Sequence, residues 1–156
     1  MFTDHQKMEI IEYLIETPGR VYIGGDSQRY SKNGKAWAKF TVVFIVHIHN
    51  SKGGKIFHFS ESEPVWDQHL DKPKLRLMTE VRKIVDTYIE FGELLEGREV
   101  EIHLDISPDE KNGSSAVVSE AIGYCMGMAG IKPKIKPDSW ASYTAGDHYV
   151  RGKNRL

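Results

Sequence analysis

Three strand-forming stretches follow one another in this chain, at residues 21–26, 36–49 and 55–60, with no helix-length segment between them. The middle one is rich in Val, Ile, Phe and Thr, residues that suit a pleated, half-buried surface. Asn50-Ser51-Lys52-Gly53-Gly54 is a turn signal before the third. Connections this short permit only antiparallel neighbours, because a parallel return needs a crossover of about a dozen residues or more. The three stretches therefore predict an antiparallel meander.

The pattern then changes. Residues 74–91 place Leu77, Val81, Ile84, Val85 and Tyr88 on one helical face. Residues 99–106 alternate strictly, with Val100, Ile102 and Leu104 on one side and Glu101, His103 and Asp105 on the other. A helix is expected from Ser114 to about Met128, with Ser114 or Ser115 as N-cap and Gly130 as C-cap. Gly123 and Gly127, four apart, would permit close packing on it. A short strand at 131–136 follows, then a helix capped by Asp138 or Ser139 and running to about Arg151. Ahead of all this, residues 5–16 read as a helix through Met8, Ile11, Leu14 and Ile15, ended by Pro18-Gly19. The expected architecture is α/β. It has a mixed five-stranded sheet, three antiparallel strands then parallel αβ units, with helices on its faces and an extra N-terminal helix. With no repeat, linker or composition break, residues 1–156 read as one domain, with 5–16 as an extension.

Composition adds exclusions. Apolar residues make up 40% and charged residues 28%, and no apolar run approaches the roughly 18 residues of a membrane span. The N-terminus carries early acid and lacks the form of a signal peptide. Cys125 is the one cysteine, which suits a reducing compartment, so a cytoplasmic location with no membrane partner is expected. A net charge of −1 argues against a dedicated nucleic-acid coat but not against a local basic patch. From Ile131 onward six basic residues stand against two acids, read as a solvated terminus or a nucleic-acid contact.

Four acids fall where chemistry would use them. Asp26 ends the first strand after Gly24-Gly25, glycines that would let another backbone or a ligand approach closely, and reads as a metal ligand or as a turn former. Glu80 lies on the rim of its helix's apolar face, able to snorkel to water or to reach a site at the sheet edge. Asp105 closes the fourth strand on its polar side, which marks either a site or an open face with His103 satisfied by a neighbour. Asp147 sits inside the last helix, where Asp is unfavourable unless exposed or bound. Phosphodiester chemistry commonly uses two divalent cations clamped by carboxylates from separate elements, and hard cations take oxygen ligands.

Those segments carry a resemblance. GGDSQ at 24–28, LMTEV at 77–81, HLDIS at 103–107 and ASYTAGDHYV at 141–150 resemble the YkuK-like family of ribonuclease-H-like proteins, over roughly residues 8–152. The element order is also that of the ribonuclease H fold. The resemblance implies Asp26, Glu80, Asp105 and Asp147 as an acidic quartet holding Mg²⁺ or Mn²⁺. Asp26 and Asp105 would clamp two ions, and Glu80 and Asp147 would complete the coordination shells. Ser27 and Gln28 would hold a phosphate or a coordinated water. His148 would assist proton transfer or stand as a surface histidine. The family pattern leads one to expect Ala where Gly146 stands.

The expected function is a metal-dependent nuclease that hydrolyses phosphodiester bonds in RNA, DNA or their hybrid by a two-metal mechanism. One alternative is a non-catalytic nucleic-acid- or protein-binding module that keeps the fold. Another is a resolvase- or transposase-like enzyme, which would call for a homodimer. His47, His49 and His58 have zinc-like spacing but read better as solvent-facing strand residues. Cys125, among Ile122, Met126 and Met128, reads as packed core.

Overall fold

The computed structural model describes residues 1–48, 53–66, 74–109 and 117–146. Helix α1 (Asp4–Glu16) leads into β1 (Gly19–Lys32), β2 (Lys35–Ile48) and β3 (Gly54–Pro64). Then come α2 (Lys74–Glu90), the short α3 (Gly92–Leu95), β4 (Val100–His103), α4 (Val118–Ala129) and α5 (Trp140–Ala145). The sheet order is β3-β2-β1-β4, antiparallel across the first three strands and parallel between β1 and β4. The meander and the crossover through α2 are as the sequence predicts.

The sheet has four strands, not five. The expected fifth, residues 131–136, meets β4 at one bridge, His103 with Lys134. Its backbone bonds show why. Lys134 N–H donates to Ile102 O at 2.8 Å, and Lys136 N–H donates to Ile106 O at 2.9 Å. The segment advances two residues between these bonds while its partner advances four, so the ladder loses register. The same slack shortens β4, which was expected to run to 106, and leaves Asp105 beyond the regular strand.

Strand β1 also departs from expectation. It does not end at Asp26 but runs on to Lys32, so Asp26 sits mid-strand opposite Thr41. Gly24 and Gly25 do not break the strand; as expected of glycines they admit close neighbours, and helices press on both faces there. A Cβ at Gly24 would lie 2.9 Å from the Ala141 backbone on α5, and one at Gly25 would lie 3.0 Å from Ile84 Cδ1 on α2. Opposite faces follow from the two-residue period of a strand.

The larger core lies on the α2 side, where Ile23, Phe44, Ile84, Ile102 and Cys125 are buried. The smaller core lies under α5, from Val43, Ile45, Ala141 and Ala145. On α1 the buried residues are Ile10 and Leu14, whereas Met8, Ile11 and Ile15 are exposed. Of the expected face only Leu14 is buried; Ile10 joins it, and Phe2, ahead of the helix, enters the core beside Phe59. A capping box between Thr3 and Gln6 starts α1. Gly130 ends α4 in the left-handed conformation, as expected. Among the described residues nothing lies within 4 Å of a Cβ at Gly123 or Gly127, so the expected close packing is not made there, and Met126 and Met128 are exposed. The expected caps Ser114 and Ser115 and the expected end of the last helix lie outside the described residues. No helix among the described residues is long and apolar enough to cross a membrane.

Two glycine substitutions should diverge. Gly24→Ala forces α5 off the sheet and should cost about 1–3 kcal/mol. Gly123→Ala, on an open helix face, should add about 0.5–1 kcal/mol. Urea midpoints compared with wild type check both, and equal midpoints for Gly24→Ala would contradict the packing.

Candidate functional site

Regular pairing of β1 with β4 stops at Gly24 opposite His103. Asp26 lies two residues further on in β1, on the α5 side by strand alternation, and Asp105 lies two residues past the end of β4. Their carboxyls approach closely enough to share a hydrogen bond. Glu80 reaches the same place from α2, and its side chain is only 3% exposed.

Neighbouring groups hold each acid. The Ser27 N–H donates to Asp26 Oδ1 at 2.8 Å, and the Ser27 hydroxyl donates to Glu80 Oε2 at 2.7 Å. Arg76 Nη1, one turn before Glu80 on α2, donates to Ser27 Oγ at 2.6 Å. Lys136 Nζ lies 2.9 Å from Asp105 Oδ1. That contact is an ion pair without hydrogen-bond alignment, so Asp105 Oδ1 is buried with a charge beside it and no directed donor. Gly146 packs against Asp26: a Cβ there would fall 2.2 Å from Oδ2. An alanine at 146 would have to turn the carboxyl aside.

Crowding reshapes the titration of the acids. Burial, the Glu80 charge and the Asp105 hydrogen bond push Asp26 up to about 9, although the Ser27 N–H pulls the other way. Burial pushes Glu80 up to about 7, with the Ser27 bond lowering it and the Asp105 charge raising it. Burial works against the Lys136 ammonium, but the Asp105 contact outweighs it and raises that group. At neutral pH, Asp26 therefore holds its proton.

The structure thus gathers Asp26, Glu80 and Asp105. Among the described residues, no group of three or more His, Cys, Asp or Glu side chains already stands arranged to hold a metal ion. Asp147 and His148 lie outside the described residues, immediately after Gly146. Ser27, expected at a phosphate or a coordinated water, is engaged with Glu80 and Arg76. Gln28 is exposed, opposite Lys39.

Sequence reasoning missed Arg76 and the specific part of Lys136. Arg76 was visible as the residue one helical turn before Glu80, whereas Lys136 was hidden among the alternating lysines of 131–136. His103 is satisfied by neighbours, as one reading expected. Its Nδ1 accepts from Ala141 N–H at 3.1 Å, its Nε2 lies 3.3 Å from Glu101 Oε1, and its carbonyl accepts from Ser142 Oγ at 3.0 Å. Burial holds the imidazole below its usual range, so it stays neutral and pins α5 to β4. The register sets His47 opposite Gly54 and His58 opposite Val43, four positions or about 13 Å along the strand. His49 lies outside the described residues.

Sheet order, helix placement and central acids define an α/β protein with carboxylates where its parallel strand pair opens. Residues 6–151 match the family model described as Ribonuclease H-like, and the chain belongs to that family. A solved structure with a related outline is the prototype foamy virus protease-reverse transcriptase, a CSH mutant labelled with selenomethionine. It is 13% identical with a TM-score of 0.43, over 87% of this chain and 19% of the viral one. The match thus spans about a fifth of the viral chain's length. No curated protein matches the chain.

The raised acids make stability fall with pH. Between the ordinary carboxylate range and about 9, the folded protein binds more protons than the unfolded chain, so unfolding becomes easier as pH rises. In EDTA the melting temperature should drop by several degrees from pH 5 to pH 8.5, at about 2–4 °C per kcal/mol. Asp26→Asn should flatten that slope. Calorimetry of both proteins across the range checks this, and parallel slopes would mean that Asp26 is not the strained group.

Proposed function

We propose that this chain is a divalent-metal-dependent nuclease, a two-metal phosphodiester hydrolase of the YkuK-like branch of its family. One observation carries the reading. Three carboxylates from β1, α2 and the end of β4 meet out of water, where burial and then their mutual charges push Asp26 up to about 9 and Glu80 to about 7. Two cationic side chains stand at the cluster, Arg76 through Ser27 and Lys136 at Asp105, and the proton on Asp26 makes up the balance in the absence of a metal ion. Asp105 Oδ1 is buried without a directed donor. Such an all-oxygen donor set fits Mg²⁺ or Mn²⁺.

Asp26, Glu80 and Asp105 would hold the ions, and Asp147 is the proposed fourth ligand. Bound, the ions supply Lewis acidity at the phosphodiester. The chain's own residues do the rest. Ser27 and Arg76 hold the Glu80 carboxylate in one orientation. Lys136 balances charge at Asp105 and gives the site a cation that can turn toward a phosphate. The substrate class is nucleic acid.

A second reading, a binding module that does not cleave, is favoured by the absence of a ready-made metal cluster among the described residues. One experiment separates the two. Labelled RNA–DNA hybrid, junction and single-stranded substrates are incubated with Mg²⁺ or Mn²⁺, beside a calorimetric Mn²⁺ titration. Cleavage should fall by about 10²-fold or more in Asp26→Asn and Asp105→Asn. Ser27→Ala should fall by about tenfold, the worth of a hydrogen bond to a charged group. Full activity in Asp26→Asn would remove Asp26 from the site. Nucleic-acid binding with neither cleavage nor Mn²⁺ uptake would establish the binding module instead.

A further inference from the structure

Among the described residues, α5 and Gly146 cover one side of the sheet from Tyr22 to Asp26, and the strands continue past Asp26 to the tip of the β1–β2 hairpin. Strand alternation and register place Gln28, Tyr30 and Lys32 of β1 on that side, with Thr41, Lys39, Trp37 and Lys35 opposite. Thr41 is buried and bonded to Ser60 Oγ at 2.8 Å. Beyond it, β3 adds Ser62 and Pro64 to this face, while its acids Glu61 and Glu63 turn to the other side and pair with Lys83. From Asp26 to the tip, the three strands therefore present lysines, small polar groups and an aromatic pair, with no further acid.

The two aromatics are cross-strand neighbours. Tyr30 stands opposite Trp37 in the register, and Tyr30 is 37% exposed. Lys32 Nζ lies 5.2 Å from the Trp37 ring centre. Aromatic cross-strand pairs do stabilise sheets. This one, however, lies at an exposed hairpin end, in a lysine-bearing strip in line with the acids. Aromatic faces flanked by cations are what single-stranded nucleic acid uses, by base stacking and phosphate pairing. The spacing also fits. Four strand residues separate Tyr30 from Asp26, about 13 Å at about 3.4 Å per residue. A stacked strand advances about 3.4 Å per nucleotide, so a base held at the pair sits about four nucleotides from the carboxylates.

We infer that Tyr30 and Trp37 form a stacking platform for an unpaired base of a single-stranded nucleic acid, whose backbone runs along Lys39 and Gln28 to Asp26. This deepens the nuclease reading and rests on it for the strand's destination. The platform itself needs neither metal nor cleavage. Lys32, lying over Trp37, gives way to the base and moves to a phosphate.

The test is binding of a fluorescein-labelled single-stranded DNA 12-mer to the full chain in EDTA, read by anisotropy. Wild type should bind, with a log–log salt slope of about −2, as expected for about three phosphate contacts. Tyr30→Ala and Trp37→Ala should each weaken binding by about tenfold, and Trp37→Phe should retain most of it. A 12-mer of abasic sugar-phosphates, which keeps the charge and removes the bases, should also bind about tenfold more weakly to the unaltered protein. Equal affinity for the abasic strand overturns the platform, whatever the variants do, and so does failure of the wild type to bind. Cleavage that is abolished by Asp26→Asn but unaffected by Tyr30→Ala would leave the nuclease reading standing and this one refuted. Base-dependent binding without cleavage would do the reverse.

Discussion

The fold turns on how closely two helices approach β1. Side chains at positions 24 and 25 would meet the Ala141 backbone on one face and Ile84 on the other. Without them, α2 and α5 settle directly on the strand. That approach brings Glu80 down from α2 to the Ser27 hydroxyl and carries Gly146, at the end of α5, against Asp26. His103 fastens the same junction from the neighbouring strand, through its ring to the Ala141 N–H and its carbonyl to the Ser142 hydroxyl. The acids converge because backbone, not side chain, fills the space beside them.

That closeness has an electrostatic consequence. Carboxylates removed from water and set beside one another resist ionisation. Here the protein answers with a proton on Asp26, the Arg76–Ser27 bridge to Glu80, and the Lys136 ammonium at Asp105. Each device is local, and each would be rearranged by a divalent ion. The strain at Asp26 and Glu80 is the physical link between a fold shared across a family and the proposed chemistry of this member.

The slack between β4 and residues 131–136 matters for the same reason. Had the ladder stayed in register, Asp105 would belong to a fully paired strand. Two residues of one segment instead span four of the other. Asp105 is released from regular pairing, and Lys136 arrives at its carboxylate. The edge irregularity and the cation in the cluster are one feature.

The element order was legible in the sequence because hydrophobic period is a local property. Val100, Ile102 and Leu104 alternate whatever surrounds them, and Leu77, Val81, Ile84 and Val85 mark a helical face in isolation. So were Asp26, Glu80 and Asp105 as acids on three separate elements. Non-local contacts decided what local pattern could not. Gly24-Gly25 reads as a place for close approach, but that the strand runs on through it, with a helix on each face, shows only once α2 and α5 are packed. Residues 131–136 read as a strand until register is counted against β4. Met8, Ile11 and Ile15 of α1 read as buried along with Leu14 until the packed helix turns Ile10 and Leu14 to the core. Lys136 is one lysine among several until the fold brings it 2.9 Å from Asp105. The sequence by itself determined which elements form and which carry acids, because both are encoded within a few residues. Only the tertiary structure decided how close those acids come and which cations answer them, because distances between elements depend on packing across the whole sheet.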